Sequence, residues 1–295
     1  MKLAAMLTRQ RPFHSRLSIP EDIRRCKTRH IASRAGGLGD EIMALGVTQA
    51  AKRMYPAWDC VFHSRHFTLL KNARGVDKVV EFAPASDDER FEFTYAHKTP
   101  YSLNRQMAMQ IGLDLPDYAI ELPRIPEAHW LGRELCGQVT LVIQTDSSGW
   151  TSNKDWPNNY WQALVESLPS EWAVLEVGRE SVFQEQPEHA GFHSFSGKTS
   201  LLEYVALIQN ADAFVGTPSG GMHVAHAYRR PSVIVIGGYE AAHYPYPLSR
   251  QLGTEVSCAP CWLREPCPYQ KKCLLQITPK QVHEALMLQM NNPAI

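Results

Sequence analysis

The sequence predicts an α/β protein of two domains, each built on a parallel sheet, facing each other across a cleft. Strand-like apolar runs alternate with helical periodicity along most of the 295 residues. A glycine-rich turn leads into a helix in each half: Arg34-Ala35-Gly36-Gly37-Leu38-Gly39-Asp40 and Gly216-Thr217-Pro218-Ser219-Gly220-Gly221-Met222-His223. Free N–H groups and the helix dipole make such a turn a cradle for a phosphate or another anion. Asp40 and His223, which ride on the two cradles, are the first candidates for chemistry in the cleft.

The elements follow in order. His30 to Arg34 reads as a strand entering the first turn. Met43, Val47, Ala50 and Met54 then mark one apolar helix face, which Tyr55-Pro56 ends. Cys60-Val61-Phe62 and Lys78 to Phe82 read as strands around a short helix at Phe67 to Leu70. Asp87-Asp88-Glu89-Arg90 reads as a solvated loop, Leu103 to Ile111 as a helix, and the proline-punctuated stretch from Leu115 to Pro126 as a linker. The second half repeats the alternation, with strands at Val139 to Ile143, Ala173 to Val177, Ala213 to Val215 and Ser232 to Ile236. Helices are predicted at Asn159 to Leu168 and at Met222 to Tyr228. Ser200-Leu201-Leu202-Glu203 fits a capping box opening a helix to about Asn210, and Pro279 stands at the first position of a final helix.

Bulk properties exclude several classes. Thirty basic and thirty acidic residues cancel, so no global field draws the chain to nucleic acid. No apolar run approaches the roughly 20 residues of a membrane span, which leaves peripheral membrane contact as the one kind open. Thr8-Arg9-Gln10-Arg11 breaks the initial apolar run too early for a secretory signal, and residues 1–27 read as an arginine-rich extension. Seven cysteines, an odd number, do not read as a disulfide framework, and a reducing, cytoplasmic setting is expected.

The residues themselves leave alternatives open. Gly37 and Gly39 begin a dinucleotide fingerprint, but Ile42 stands where its third small residue belongs. Asp40 suits either a helix cap or a general base that takes a proton from a hydroxyl. Lys154, in Lys154-Asp155-Trp156-Pro157 between a strand and a helix, suits either a solvated loop or the neutralisation of a leaving phosphate. His223 suits either a core histidine or an anion contact. Cys258, Cys261, Cys267 and Cys273 form the other constellation. Four thiolates so close can surround one tetrahedral zinc or iron, or they are reduced thiols in a compact loop.

Five pieces in order resemble glycosyltransferase family 9, the ADP-heptose heptosyltransferases of lipopolysaccharide assembly and related protein heptosyltransferases. They are Gly36 to Asp40; Lys154 to Pro157 with Tyr160, Trp161 and Leu164; Phe195 to Leu201; Ser219 to Ala225; and the cysteine segment closing at Ile277-Thr278-Pro279. The resemblance implies a GT-B fold of two Rossmann-like domains. An acceptor domain would occupy 28–126 and a nucleotide-sugar domain 127–277, with a helix from 278 to 295 packing back on the first. It implies inverting transfer of a sugar, heptose from ADP-heptose above all, to a hydroxyl of a lipopolysaccharide-type glycan or a protein, with no cofactor needed for catalysis. It makes Asp40 the base and gives Lys154 the donor phosphates. Ser219, Gly220, Gly221, Met222 and His223 would line the diphosphate site, and Glu180 would bind the nucleoside. The cysteine segment resembles one that binds iron in protein heptosyltransferases. The chain departs from the family pattern at Pro218, where an aspartate is common, and in a short N-terminal half. Two other functions compete: a nicotinamide-dependent oxidoreductase, which the incomplete fingerprint disfavours, and a non-catalytic sugar-nucleotide scaffold, which intact Asp40 and Lys154 disfavour.

Overall fold

Four strands, β1 (Thr28–Ser33), β2 (Asp59–Ser64), β3 (Lys78–Glu81) and β4 (Phe91–Phe93), pair in parallel in the order β3-β2-β1-β4. The computed structural model describes residues 28–83, 90–97, 99–114, 119–135, 138–147, 149–240 and 244–291. The expected N-terminal extension, most of the acidic loop and part of the predicted linker lie outside these residues. Between the strands run α1 (Leu38–Met54) and α2 (Phe67–Leu70), and α3 (Leu103–Gln110) follows β4. Met43, Val47 and Ala50 are buried as their spacing predicts. Met54, in the last turn, is 60% exposed, so the apolar face runs out one turn early.

The second sheet has the order β10-β9-β8-β5-β6-β7, again parallel. Its strands are β5 (Thr140–Gln144), β6 (Ala173–Val177), β7 (Phe192–Ser194), β8 (Ala213–Gly216), β9 (Ser232–Gly237) and β10 (Ser249–Gly253). The central ones are buried at every residue, as parallel strands covered on both faces must be. Val142, Leu175, Phe214 and Ile234 face α5 (Leu201–Asn210) and α6 (Gly220–Ala227), in a core continuous with that of the first sheet. Leu141, Ile143, Val174 and Val233 face the other way, towards α4 (Asn158–Glu166), the short α7 (Lys272–Leu275) and the final helix α8 (Pro279–Asn291).

That packing corrects one expectation. The C-terminal helix does not fold back on the first domain: Val282, Ala285 and Leu286 bury against the second sheet. The indole of Trp156 donates to the carbonyl of Ile277 at 2.8 Å, which ties the start of α8 to the second half. The strands missed by the sequence, β4, β7 and β10, are all edge strands. Three residues, or a polar run such as Ser249 to Gly253, are too short or too polar to carry a periodic signal.

The topology decides where a ligand can sit. In an open parallel sheet the crevice lies where strand order reverses, beyond the carboxyl ends. Here the reversals fall between β1 and β4 in the first sheet and between β5 and β8 in the second. The first glycine turn follows β1, Tyr95 and His97 follow β4, Lys154 follows β5, and the second glycine turn follows β8.

The helices on these sheets are locally encoded. The Ser200 hydroxyl accepts from the Glu203 N–H at 3.3 Å and the Glu203 carboxylate accepts from the Ser200 N–H at 2.7 Å, the reciprocal bonds of a capping box. Ser200→Ala removes one of them, and we expect it to lower stability by about 1 kcal/mol in urea unfolding, with an unchanged denaturant slope. No loss would mean that tertiary packing alone starts α5.

Candidate active site

The four loop ends enclose a cavity of about 790 Å³. Gly36, Gly37, Gly39 and Asp40 line one wall, and Lys154, Ser219, Gly220, Met222 and His223 line the other. The walls touch at one point. A Cβ on Gly39 would lie 2.7 Å from Cδ2 of His223, and a Cβ on Gly220 would lie 3.2 Å from the Leu38 side chain. Glycine at both positions lets the N-terminus of α1 meet that of α6. Gly221 sits behind the wall, where a Cβ would run into the amide of Gln144 and the hydroxyl of Tyr204. Glu180 is exposed and stands beside the cavity lining, to which its neighbours Gly178 and Arg179 contribute. Ile42, at the place of the missing third glycine, is fully buried in the core.

Two adjacent carboxylates have separate fates. Glu41 turns inward and accepts from the Ser64 hydroxyl at 2.6 Å, from the Arg65 N–H at 2.9 Å and from the His66 N–H at 3.2 Å. Burial alone would raise its pKa, but hydrogen bonds from His66, Ser64 and Arg65 hold it below the ordinary value. Glu41 thereby locks the end of β2 to the start of α1. Asp40 points into the cavity instead. Burial raises its pKa and the charge of Glu240 adds to that, against hydrogen bonds from Tyr95 and Gly37 and the charge of Lys154. Gly37 takes the N-cap position, so Asp40 is a first-turn residue that accepts from the Gly37 N–H rather than the cap itself.

Lys154 is held from three sides. Its ammonium lies 2.5 Å from the Glu240 carboxylate, donates to the Pro218 carbonyl at 3.3 Å, and stands 4.7 Å from the centre of the Tyr239 ring. The turn that presents it is fixed by Asn153, whose amide donates to the carbonyls of Leu263 and Glu265 at 2.8 Å each. Glu240 also accepts from the Tyr244 hydroxyl at 3.0 Å. Sequence reading missed Glu240, Tyr95, His97 and Arg179. Their shared signal is position, directly after the carboxyl ends of β9, β4 and β6.

His223 is buried, as a core histidine would be, and also stands at the cavity wall. Its Nδ1 pairs with the Tyr246 hydroxyl at 2.7 Å. Burial, then the neighbouring charges of His226 and Lys154, push its pKa down from 6.5 to about 3, so the ring is neutral at pH 7. At the N-terminus of α6 a neutral ring adds no repulsion of its own to the dipole.

The cysteine expectation is not met by the arrangement. Among the described residues no three His, Cys, Asp or Glu side chains are grouped to hold a metal ion. Cys258, Cys261, Cys267 and Cys273 are half-buried free thiols. Backbone anchoring sets the course of this segment: the Cys261 N–H donates to the Gly238 carbonyl at 3.1 Å and the Cys267 N–H to the Asn153 amide oxygen at 3.1 Å. Cys273 packs on Gly237 and Gly238, where burial, then its neighbours Cys261 and Cys267, raise its thiol pKa. The segment instead sends Trp262 into the cavity lining, where it stacks on His97 with ring centres 4.5 Å apart.

The neutral His223 makes stability pH-dependent. Its folded pKa lies below the value of 6.5 of a free imidazole, so the unfolded chain takes up the proton first. The stability it contributes is complete above about pH 6.5 and is lost as pH falls towards 3. We expect the thermal midpoint to drop between pH 6.5 and pH 4, with a shallower drop in His223→Gln, which keeps a partner for Tyr246. Parallel profiles in the two proteins would assign the titration to other groups.

Comparison with known proteins agrees with this geometry. The model of glycosyltransferase family 9 (heptosyltransferase) matches residues 63–272. Lipooligosaccharide heptosyltransferase 2 of Haemophilus influenzae is 36% identical over 106 residues, which span 32% of this chain and 30% of that relative's length. Among solved structures, the iron-containing dodecameric glycosyltransferase TibC from enterotoxigenic E. coli H10407 superposes with a TM-score of 0.67 at 19% identity, covering 91% of this chain and 78% of that one. E. coli ADP-heptose lipopolysaccharide heptosyltransferase II gives 0.62 at 16% identity, covering 90% and 99%. The family 9 glycosyltransferase from Veillonella parvula gives 0.66 at 11% identity, covering 90% and 97%. At these identities the structures speak for the shared GT-B fold, and the family match over most of the chain carries the rest: the protein belongs to glycosyltransferase family 9, the heptosyltransferases.

Proposed function

We propose that this chain transfers heptose from ADP-heptose to a hydroxyl of a lipopolysaccharide-type glycan or a protein, with inversion at the anomeric carbon. One observation carries the reading: a half-buried carboxylate, Asp40, lines the same cavity as Lys154 and the N-terminus of α6. Direct displacement needs those two poles. A base takes the acceptor proton as the new bond to the anomeric carbon forms, and fixed positive charge receives the diphosphate as the old bond breaks. Asp40 is the base, its pKa raised by burial and its carboxylate oriented by the Tyr95 hydroxyl. The diphosphate rests against Lys154 and the N–H groups at the start of α6, where the buried hydroxyl of Ser219 has no partner among the described residues and is free to donate. The turn Gly178-Arg179-Glu180 after β6 reads the nucleoside, with Glu180 reaching the ribose.

The donor assignment draws support from relatives in the same fold. TibC has been solved in complex with ADP-D-beta-D-heptose, and E. coli heptosyltransferase WaaC with ADP and with ADP-2-deoxy-2-fluoro heptose. We further propose the domain limits 28–126 on the acceptor side and 127–277 on the donor side, with α8 packed on the latter, and a cytoplasmic setting, for which the free cysteines speak. No helix among the described residues is long and apolar enough to cross a membrane.

Two variants test the assignment. Asp40→Asn keeps the hydrogen bond from Gly37 and should retain ADP binding while slowing heptose transfer by roughly 100-fold or more. Near-normal turnover in the purified variant would remove Asp40 as the base. Lys154→Ala should weaken ADP by roughly tenfold in calorimetry, the scale of a lost charged hydrogen bond. Unchanged affinity would put the diphosphate elsewhere.

A further inference from the structure

Glu240 poses a problem for the site as described. Its side chain is 4% exposed, and it sits on the ammonium that the diphosphate needs. One oxygen contacts Lys154 at 2.5 Å and the other accepts from Tyr244 at 3.0 Å. Its charge is felt at Asp40 and Tyr95 on the opposite wall, and at His97. Glu240 also lines the cavity that Asp40 and the start of α6 share, where the transferred sugar must be. A diphosphate that draws Lys154 to itself strips Glu240 of its counter-ion. A buried carboxylate left so is costly unless other donors replace the ammonium. The hydroxyls of a sugar still attached to the diphosphate are such donors. A diphosphate that has lost its sugar offers none.

We propose that Glu240 discriminates the intact nucleotide-sugar from the nucleoside diphosphate product. With the donor bound, sugar hydroxyls donate to Glu240 while Lys154 turns to the phosphates. After transfer those hydroxyls are gone, the Tyr244 hydroxyl alone does not balance the carboxylate charge, and re-forming the pair with Lys154 drives the nucleoside diphosphate out. Glu240 is thus a specificity-determining residue that favours donor over product. This rests on the reading that Lys154 meets the donor phosphates.

The test is calorimetry of ADP and of ADP-heptose, without acceptor, on the wild type, Glu240→Gln, Lys154→Ala and the double variant, with thermal melts to verify folding. Glu240→Gln should bind ADP about tenfold more tightly, because Lys154 is released from its competitor. Its affinity for ADP-heptose should change much less, and the gain for ADP should vanish in the Lys154→Ala background. Inhibition of transfer by ADP should strengthen by the same factor. Parallel weakening of ADP and ADP-heptose in folded Glu240→Gln would show a merely structural glutamate and overturn the proposal. Unchanged ADP affinity in Glu240→Gln, with ADP weakened in Lys154→Ala, would also overturn it and leave the donor site standing. ADP affinity untouched by Lys154→Ala would instead refute the donor site itself. Should Glu240→Gln not fold, the wild type still decides: ADP-heptose must bind more tightly than ADP, and equal affinities contradict the proposal.

Discussion

The close approach of two helix N-termini organises this molecule. Gly39 at the start of α1 meets His223 at the start of α6, and Gly220 meets Leu38. Neither contact leaves room for a side chain at the glycine without displacement of its neighbour. Each sheet alone supplies half a site. The first presents a carboxylate after β1, and the second presents an ammonium and an anion cradle after β5 and β8. The glycine contact joins the halves at a distance that one substrate can span. Burial follows from the same contact, and it raises Asp40, depresses His223 and strengthens the pairing of Lys154 with Glu240.

Around that contact the protein spends fixed structure on orientation. Glu41 pins β2 to α1 through three backbone and side-chain donors, so that Asp40, one residue earlier, is held facing the cavity. Asn153 ties the Lys154 turn to the cysteine segment, and Trp156 ties it to the start of α8. Trp262 of the cysteine segment then reaches His97 beyond β4. The cysteine segment is therefore a strut from the second sheet's half to the first, and its anchoring is by backbone and aromatic contact.

Much of this was legible in the sequence where the signal is local. The capping box at Ser200 and Glu203, the buried runs of β5, β6 and β9 and the two glycine turns depend on neighbours a few residues away. The family resemblance rested on the same local pieces. What was not legible depends on topology. Glu240 and Tyr95 enter the site because β9 and β4 lie beside the strands that carry the cradles, and no spacing along the chain records that adjacency. The fates of Asp40 and Glu41 could not be separated either, because two consecutive acidic residues in a first helical turn read alike until β2 supplies donors for one of them. Spacing alone leaves the four cysteines readable as a ligand set or as reduced thiols, and the course of their segment follows from backbone anchors at Gly238 and Asn153.

The proposed reaction needs one cleft to hold both of its poles. A crystal structure of the chain with bound ADP tests it most directly. The account predicts the diphosphate within hydrogen-bond reach of the Lys154 ammonium and the N–H groups at the start of α6, with the Asp40 carboxylate facing it across the space for one sugar ring. A diphosphate bound away from α6, or an Asp40 carboxylate turned out of the cleft in that complex, would contradict it.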